Sequence, residues 1–215
     1  NKKNNFYHLL QNIVHNTFEQ TMNTEIHSDI LLPGSHTTHY RNKVSYSFMM
    51  HREKICFALY TRGVSCFEKT PHNKNLLVHT MLNKIGKQFL EFFNQKKAPI
   101  QQLKYLTLRY SYRTKTIAAQ ILVTETNRKK LPWKKNDLEN FCNQHSELQG
   151  ILVSHSEPNI RSSITTKDFY EIGNITISEK VLHKIYEYHP SQFFQIYPEA
   201  FAQILIDCEN LITSI

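Results

Sequence analysis

Two prolines near the end of the chain bracket the run with most chemical potential, Pro190-Ser191-Gln192-Phe193-Phe194-Gln195-Ile196-Tyr197-Pro198. Two adjacent rings and a primary amide lie between them. A flat ring can stack on a nucleobase, and an amide can grip a polar ligand edge. Pro198 suits the first turn of a helix, where its missing N–H is an orphan in any case. Phe201, Leu205 and Cys208 or Leu211 then recur at helical spacing. Phe193, Phe194 and Gln195 are therefore expected on a short segment leading into a helix. The other reading of the two rings is a pair of core side chains wedging that helix against a sheet.

The remaining candidates are cationic. Arg41 and Lys43 stand at the mouth of the alternating run Val44-Ser45-Tyr46-Ser47-Phe48. There Arg can clamp a phosphate with its bidentate fork and Lys can act as a point charge. Asn42 between them reads as a turn residue. Arg109 shares a strand face with Tyr105 and Thr107, and such interleaving of basic and aromatic groups suits RNA, as it also suits an ordinary sheet edge. The densest positive cluster is Asn127-Arg128-Lys129-Lys130 with Pro132-Trp133-Lys134-Lys135. Two readings stay open for it: a solvated loop, or phosphate contact with Trp133 stacking.

Nucleophile and metal chemistry find less support. Cys56, Cys66, Cys142 and Cys208 are scattered without C-x-x-C spacing, which suggests free thiols in a reducing compartment. His36 and His39 have no Cys or carboxylate nearby in sequence to complete a zinc site, so no metal is expected.

The elements that must position these groups follow from periodicity. Residues 4–22 carry a helical apolar face, and Pro33-Gly34 marks a turn after it. Strands are expected over 44–48 and 54–60, with a turn at Thr61-Arg62-Gly63 and pairing over 64–67. Residues 75–93 form the clearest helix. Residues 103–112 and 116–124 read as a hairpin across Arg113-Thr114-Lys115, and 136–145 as a helix. Residues 151–155 read as a strand, 169–177 as a hairpin turning at Gly173-Asn174, and 182–188 as a last strand. The fold class is α+β, an antiparallel sheet with flanking helices, without regular β-α-β alternation.

A chain of 215 residues with 40% hydrophobic residues can bury a substantial core, and its apolar runs are too short to span a bilayer, so no membrane association is expected. The net charge of +8 favours an anionic partner. Charge alone does not separate RNA from DNA or from an acidic protein.

Pro-Ser-x-Phe-Phe-Gln before a helix, with Tyr40-Arg41-Asn42-Lys43 before a strand and Leu103-Lys104-Tyr105-Leu106-Thr107-Leu108-Arg109 between them, resembles the RNA uracil-C5 methyltransferases. The resemblance runs from Asn4 to the C-terminus. It implies the central, RNA-binding domain of an enzyme that makes 5-methyluridine in tRNA or rRNA with S-adenosylmethionine. It further implies a division into a central domain over 1–188 and, over 189–215, a linker and the first helix of a Rossmann-like methyltransferase domain whose remainder would follow Ile215. In that family a Cys thiolate adds at C6 of a flipped uracil, C5 attacks the methyl group, and a base removes the C5 proton.

By the same resemblance, Arg41, Lys43 and Arg109 hold RNA backbone, Phe193 or Phe194 stacks on a base, and Gln195 contacts the cofactor. No catalytic residue is carried over, since nucleophile and base belong to the part that would follow, and the chain alone is expected to be inactive. Cys66 matches an iron–sulfur ligand of some members, but its three companions are not in this chain. Tyr197 stands where the family usually has Asn. A cytoplasmic monomer is implied. A stand-alone RNA-binding module and a protein-interaction domain are the competing readings.

Overall fold

The computed structural model describes residues 38–60, 67–69, 75–159 and 164–213. The expected helix over 4–22, the Pro33-Gly34 and Thr61-Arg62-Gly63 turns, His36 and Cys66 lie outside the described residues.

Seven strands form one sheet in the order β3-β2-β1-β4-β5-β6-β7. They are β1 (Lys43–His51), β2 (Lys54–Tyr60), β3 (Phe67–Lys69), β4 (Leu103–Tyr110), β5 (Ile117–Val123), β6 (Leu148–His155) and β7 (Lys167–Gly173). The class is α+β, but the sheet is mixed. β5 and β6 run parallel, from Ile117 beside Leu148 to Val123 beside His155, and the other pairs are antiparallel. Parallel neighbours need a long crossover. It is supplied by a 3-10 turn over Arg128–Lys130 and the helix α2 (Lys135–Gln144). The expected purely antiparallel sheet is corrected accordingly. The signal was present in the near-continuous apolar runs of β5 and β6, the mark of strands buried on both faces.

Helix α1 (Thr80–Gln95) packs on the sheet through Leu82, Ile85, Phe89 and Phe93, all fully buried. It begins later than its apolar pattern suggests. His79 caps it by accepting from the Met81 N–H at 3.3 Å, while Leu76 and Leu77 precede it and are exposed. A Cβ at Gly86 would stand 3.2 Å from the Phe57 ring, so glycine lets the helix settle on the stacked Tyr46–Phe57 pair. Phe89 and Phe92 then meet Phe141 of α2, which joins the two helices into one layer.

Gly173 ends β7 at φ +62°, a conformation that favours glycine. The chain there leaves the large sheet instead of turning back in the expected hairpin. It forms a separate two-stranded sheet, β8 (Ile177–Val181) with β9 (Lys184–Tyr188), where one strand had been expected. This hairpin is tied to the β4–β5 turn. Ser111 donates to the Ser178 carbonyl at 2.6 Å, and the buried Glu179 carboxylate accepts from the N–H groups of Tyr112 and Arg113 at 3.0 and 3.1 Å. Burial pushes the Glu179 carboxyl pKa up, and those backbone donors pull it back. The last helix, α3 (Pro198–Thr213), starts at Pro198 as its sequence predicts, but leaves Leu211 and Ile212 66% and 72% exposed. No helix among the described residues is long and apolar enough to cross a membrane.

Candidate nucleic-acid interface

Arg109 lies on β4 between Lys43 of β1 and Ala118 of β5, on the face turned away from the two packed helices. It is fully buried. Its guanidinium donates to three main-chain carbonyls of the 190–194 run: Nε to Pro190 at 3.3 Å, Nη1 to Phe194 at 3.5 Å and Nη2 to Gln192 at 2.5 Å. The same group sits 4.9 Å from the centre of the Tyr188 ring. Burial lowers its pKa and the Tyr188 hydroxyl partly opposes that, yet a guanidinium keeps its charge at any working pH. Arg109 was expected to hold RNA backbone. The structure turns it inward, where it shapes the loop that bears the candidate rings.

That loop is closed by its own bonds. The Gln192 N–H donates to the His189 carbonyl at 3.0 Å, and the Gln192 side chain accepts from the His189 N–H at 2.8 Å. Phe194 then stacks on Tyr188 with ring centres 4.4 Å apart and meets Phe201 of α3 edge-on at 6.3 Å. It joins a small cluster with Ala118 and Ile177. Phe194 is thus the anchoring ring. Its neighbour Phe193 is 84% exposed, and Gln195 is exposed beside it. Of the two rings, Phe193 is the one free to stack on a base.

The 40–43 run, distant in sequence, meets this loop. The Asn42 N–H donates to the Ile196 carbonyl at 2.9 Å, and the rings of Tyr40 and Tyr197 stack at 4.6 Å. Tyr112 donates to the Tyr40 carbonyl at 2.9 Å, and Arg41 bridges to Val78 through main-chain bonds on both sides. Asn42 is extended, not in a turn. Its backbone is paired on both sides, but its fully buried side-chain amide has no hydrogen-bond partner, nor has the buried Nε of Arg41. Lys43 is half-buried. Desolvation, and then the charge of Arg109, bring its pKa down to about 8. Arg41, Lys43, Phe193 and Gln195 are therefore gathered at one end of the sheet, with Arg109 and Phe194 beneath them.

Trp133 is not a stacking surface. It is buried against Phe92 and Phe93, and its indole N–H donates to the Tyr170 hydroxyl at 3.1 Å. The reading that paired it with RNA is corrected, since no face of the ring is open. The exposed cations around it remain. The Cys142 thiol donates to the Leu148 carbonyl at 3.1 Å, and burial pushes its pKa up, the wrong direction for a nucleophile. No group of three or more His, Cys, Asp and Glu is gathered for a metal among the described residues. What the described residues gather here is an exposed ring, an exposed amide and cations, groups suited to stacking and to charge contact.

The chain shares its fold with a tRNA methyltransferase. The solved structure is that of the Pyrococcus abyssi tRNA (uracil-54, C5)-methyltransferase in complex with S-adenosyl-L-homocysteine, with a TM-score of 0.69 and 15% sequence identity. The match covers 95% of this chain and 48% of that one, so the chain spans about half the length of its structural neighbour. No protein-family model and no curated protein matches the sequence. At this identity the likeness is one of fold.

Sequence reasoning missed several members of the site. Tyr188 was read only as a strand end, yet it is the floor on which both Arg109 and Phe194 rest. Its position just before Pro190 was the available signal. The Tyr40–Tyr197 stack left none, because the two rings meet only after the sheet has formed.

Proposed function

We propose that this chain is the substrate-holding part of an S-adenosylmethionine-dependent RNA (uracil-C5) methyltransferase that forms 5-methyluridine in tRNA or rRNA. The observation that carries the reading is the junction of the two motif segments, Asn42 bonded to Ile196, which joins the loop bearing the exposed Phe193 ring to the strand end bearing Arg41 and Lys43. A ring held out on a braced loop is a platform for an unstacked base. Arg41 and Lys43 contact phosphate and fix the register of the strand. Arg109 acts one layer down, positioning Phe193 through the 190–194 carbonyls. The fold neighbour and the net charge of +8 support RNA as the partner.

Methyl transfer itself is not assigned to these residues. The amide that the resemblance assigns to S-adenosylmethionine, Gln195, is exposed, and the five glycines of the chain form no G-x-G-x-x-G-like loop to cradle the cofactor. One amide does not hold such a cofactor. Gln195 faces it only if a catalytic domain is joined at α3, in line with a boundary near residue 189. A cytoplasmic, monomeric enzyme belongs to the same proposal.

The test is a titration of the chain with labelled tRNA and with ribosomal RNA fragments. Phe193→Ala is expected to weaken binding by about 1–3 kcal/mol, the usual worth of a base–aromatic stack. Circular dichroism is expected to stay unchanged, because an exposed ring contributes little to stability. Equal affinity of the variant and the parent chain for both RNAs sinks the assignment of Phe193.

A further inference from the structure

At the opposite end of the same sheet stands a second set of cations. From Arg109 and its partner Ala118, strand β5 runs on to Val123, a distance of roughly 17 Å at the usual rise per residue. Beyond Val123 the chain forms the 3-10 turn bearing Arg128, Lys129 and Lys130, all exposed. Lys167, at the start of β7, pairs with His155, the residue beside Val123, and so lies at the same end. Arg128 and Lys167 flank a cleft of about 260 Å³ that is also lined by Asn127, Asp168 and Phe169.

This end of the sheet is built, not loose. The Asn127 carboxamide accepts from the Lys129 N–H at 3.0 Å, and the Asn127 carbonyl accepts from Lys130 at 2.9 Å. Leu131 and Trp133 are buried just after the turn and pin it to the core. Arg128, Lys129, Lys130 and Lys167 form no ion pair among the described residues. By contrast Lys84, Lys87, Lys96 and Lys135 each meet a carboxylate. Asp168 is the acid in the cleft, and it accepts from Ser154 at 2.7 Å. Unpaired cations on a fixed turn repel one another, and a polyanion bound beside them relieves that repulsion.

We infer that this end of the sheet is a second RNA-backbone contact, with Arg128 and Lys167 gripping phosphate in the cleft and Lys129 and Lys130 adding charge beside it. The inference rests on the RNA reading above and extends it. The bound RNA must reach across the sheet, so a folded RNA is favoured over a short single strand. A lipid surface fits less well, since Leu131 and Trp133, the large apolar groups of the basic run, both point into the core, which leaves Ile164, 59% exposed ahead of β7, as a single side chain to insert.

The experiment compares the chain with an Arg128→Glu/Lys167→Glu variant, and with Arg128→Gln/Lys167→Gln should charge reversal perturb folding. Each is titrated with intact tRNA and with an oligoribonucleotide of about four nucleotides, over a range of salt. For tRNA the expected result is about a tenfold loss of affinity at low salt and a log–log salt slope shallower by roughly 1.5, as two phosphate contacts disappear. The short oligonucleotide is expected to bind both proteins alike.

An unchanged tRNA slope overturns the second contact. If Phe193→Ala still weakens tRNA in the same assay, the RNA reading itself stands. No tRNA binding by the parent chain overturns both. Loss of binding to phosphatidylserine vesicles without loss of tRNA binding assigns the patch to lipid, and also overturns the inference.

Discussion

The backbone N–H of Asn42 donates to the carbonyl of Ile196 at 2.9 Å, and this bond joins the two ends of the described sequence into one site. The side chain of the same Asn42 is fully buried, and its amide has no hydrogen-bond partner. An unpaired buried amide costs about 1–3 kcal/mol on mutational scales. Asn42→Leu, of similar size, is therefore expected to raise stability by about 1 kcal/mol, read from the urea midpoint at constant m. Sites kept for binding commonly trade stability in this way, so the same variant is expected to bind RNA more weakly. A loss of stability above about 1 kcal/mol would show that the amide is paired in solution.

Arg109 answers a different experiment. Removing it leaves three carbonyls of the 190–194 run without their donor, and Arg109→Ala is expected to cost about 3 kcal/mol or more. Arg109→Lys keeps the charge but not the fork. It is expected to lose RNA affinity, and Arg109→Gln, which removes the charge, is expected to do so with an unchanged salt slope, because the group touches no phosphate. Substituting Arg41 or Lys43 by Gln should instead make the slope shallower by about 0.7 each. A shallower slope for Arg109→Gln would place the guanidinium on the RNA.

The contrast between Arg109 and Phe193 shows what was readable beforehand. Alternation along β4 placed Arg109 opposite Leu108 and on the right face. Nothing local said that a loop more than eighty positions away would cover it. The Phe-Phe pair announced a site, but which ring anchors and which projects depends on Tyr188 and Phe201. Strand β1 was plain from its period-two pattern, and the β4–β5 hairpin from the polar turn Arg113-Thr114-Lys115 between two strand-like runs. The apolar runs of β5 and β6 carried the signal of a parallel pair, but the basic run between them looked like surface loop, and its anchors Leu131 and Trp133 were outnumbered by lysines. The β8–β9 hairpin was hidden by Leu182 at its turn, where φ is +53° in a residue that does not advertise a turn.

Trp133 gives the sharpest separation between packing and recognition. Trp133→Ala is expected to cost about 3–5 kcal/mol, since it empties a site walled by Phe92 and Phe93. Trp133→Phe keeps most of that contact and leaves the Tyr170 hydroxyl without its donor. It is expected to lower the melting temperature and to leave RNA affinity unchanged. A marked fall in affinity for a folded Trp133→Phe protein would return the indole to the interface.

Lys43 predicts a pH dependence with a defined sign. Its pKa is lowered to about 8 by desolvation first and by Arg109 second. In the unfolded chain it returns to about 10.5. The folded state thus holds this proton less tightly than the unfolded state does. The resulting cost to stability is fully present below about pH 8 and is relieved as pH rises from there to about 10.5. Lys43→Met is accordingly expected to be more stable than the parent chain at neutral pH, with the difference closing as the solution becomes alkaline.

Binding moves the other way. A phosphate beside Lys43 favours the charged form, so RNA association near pH 8 should take up a proton. Affinity should then fall from about pH 7 to about pH 8.5, where an ordinary surface lysine would still be charged. Lys43→Arg, whose charge does not titrate in this range, should bind with no such fall. Parallel pH profiles for the two proteins would remove Lys43 from the phosphate contact.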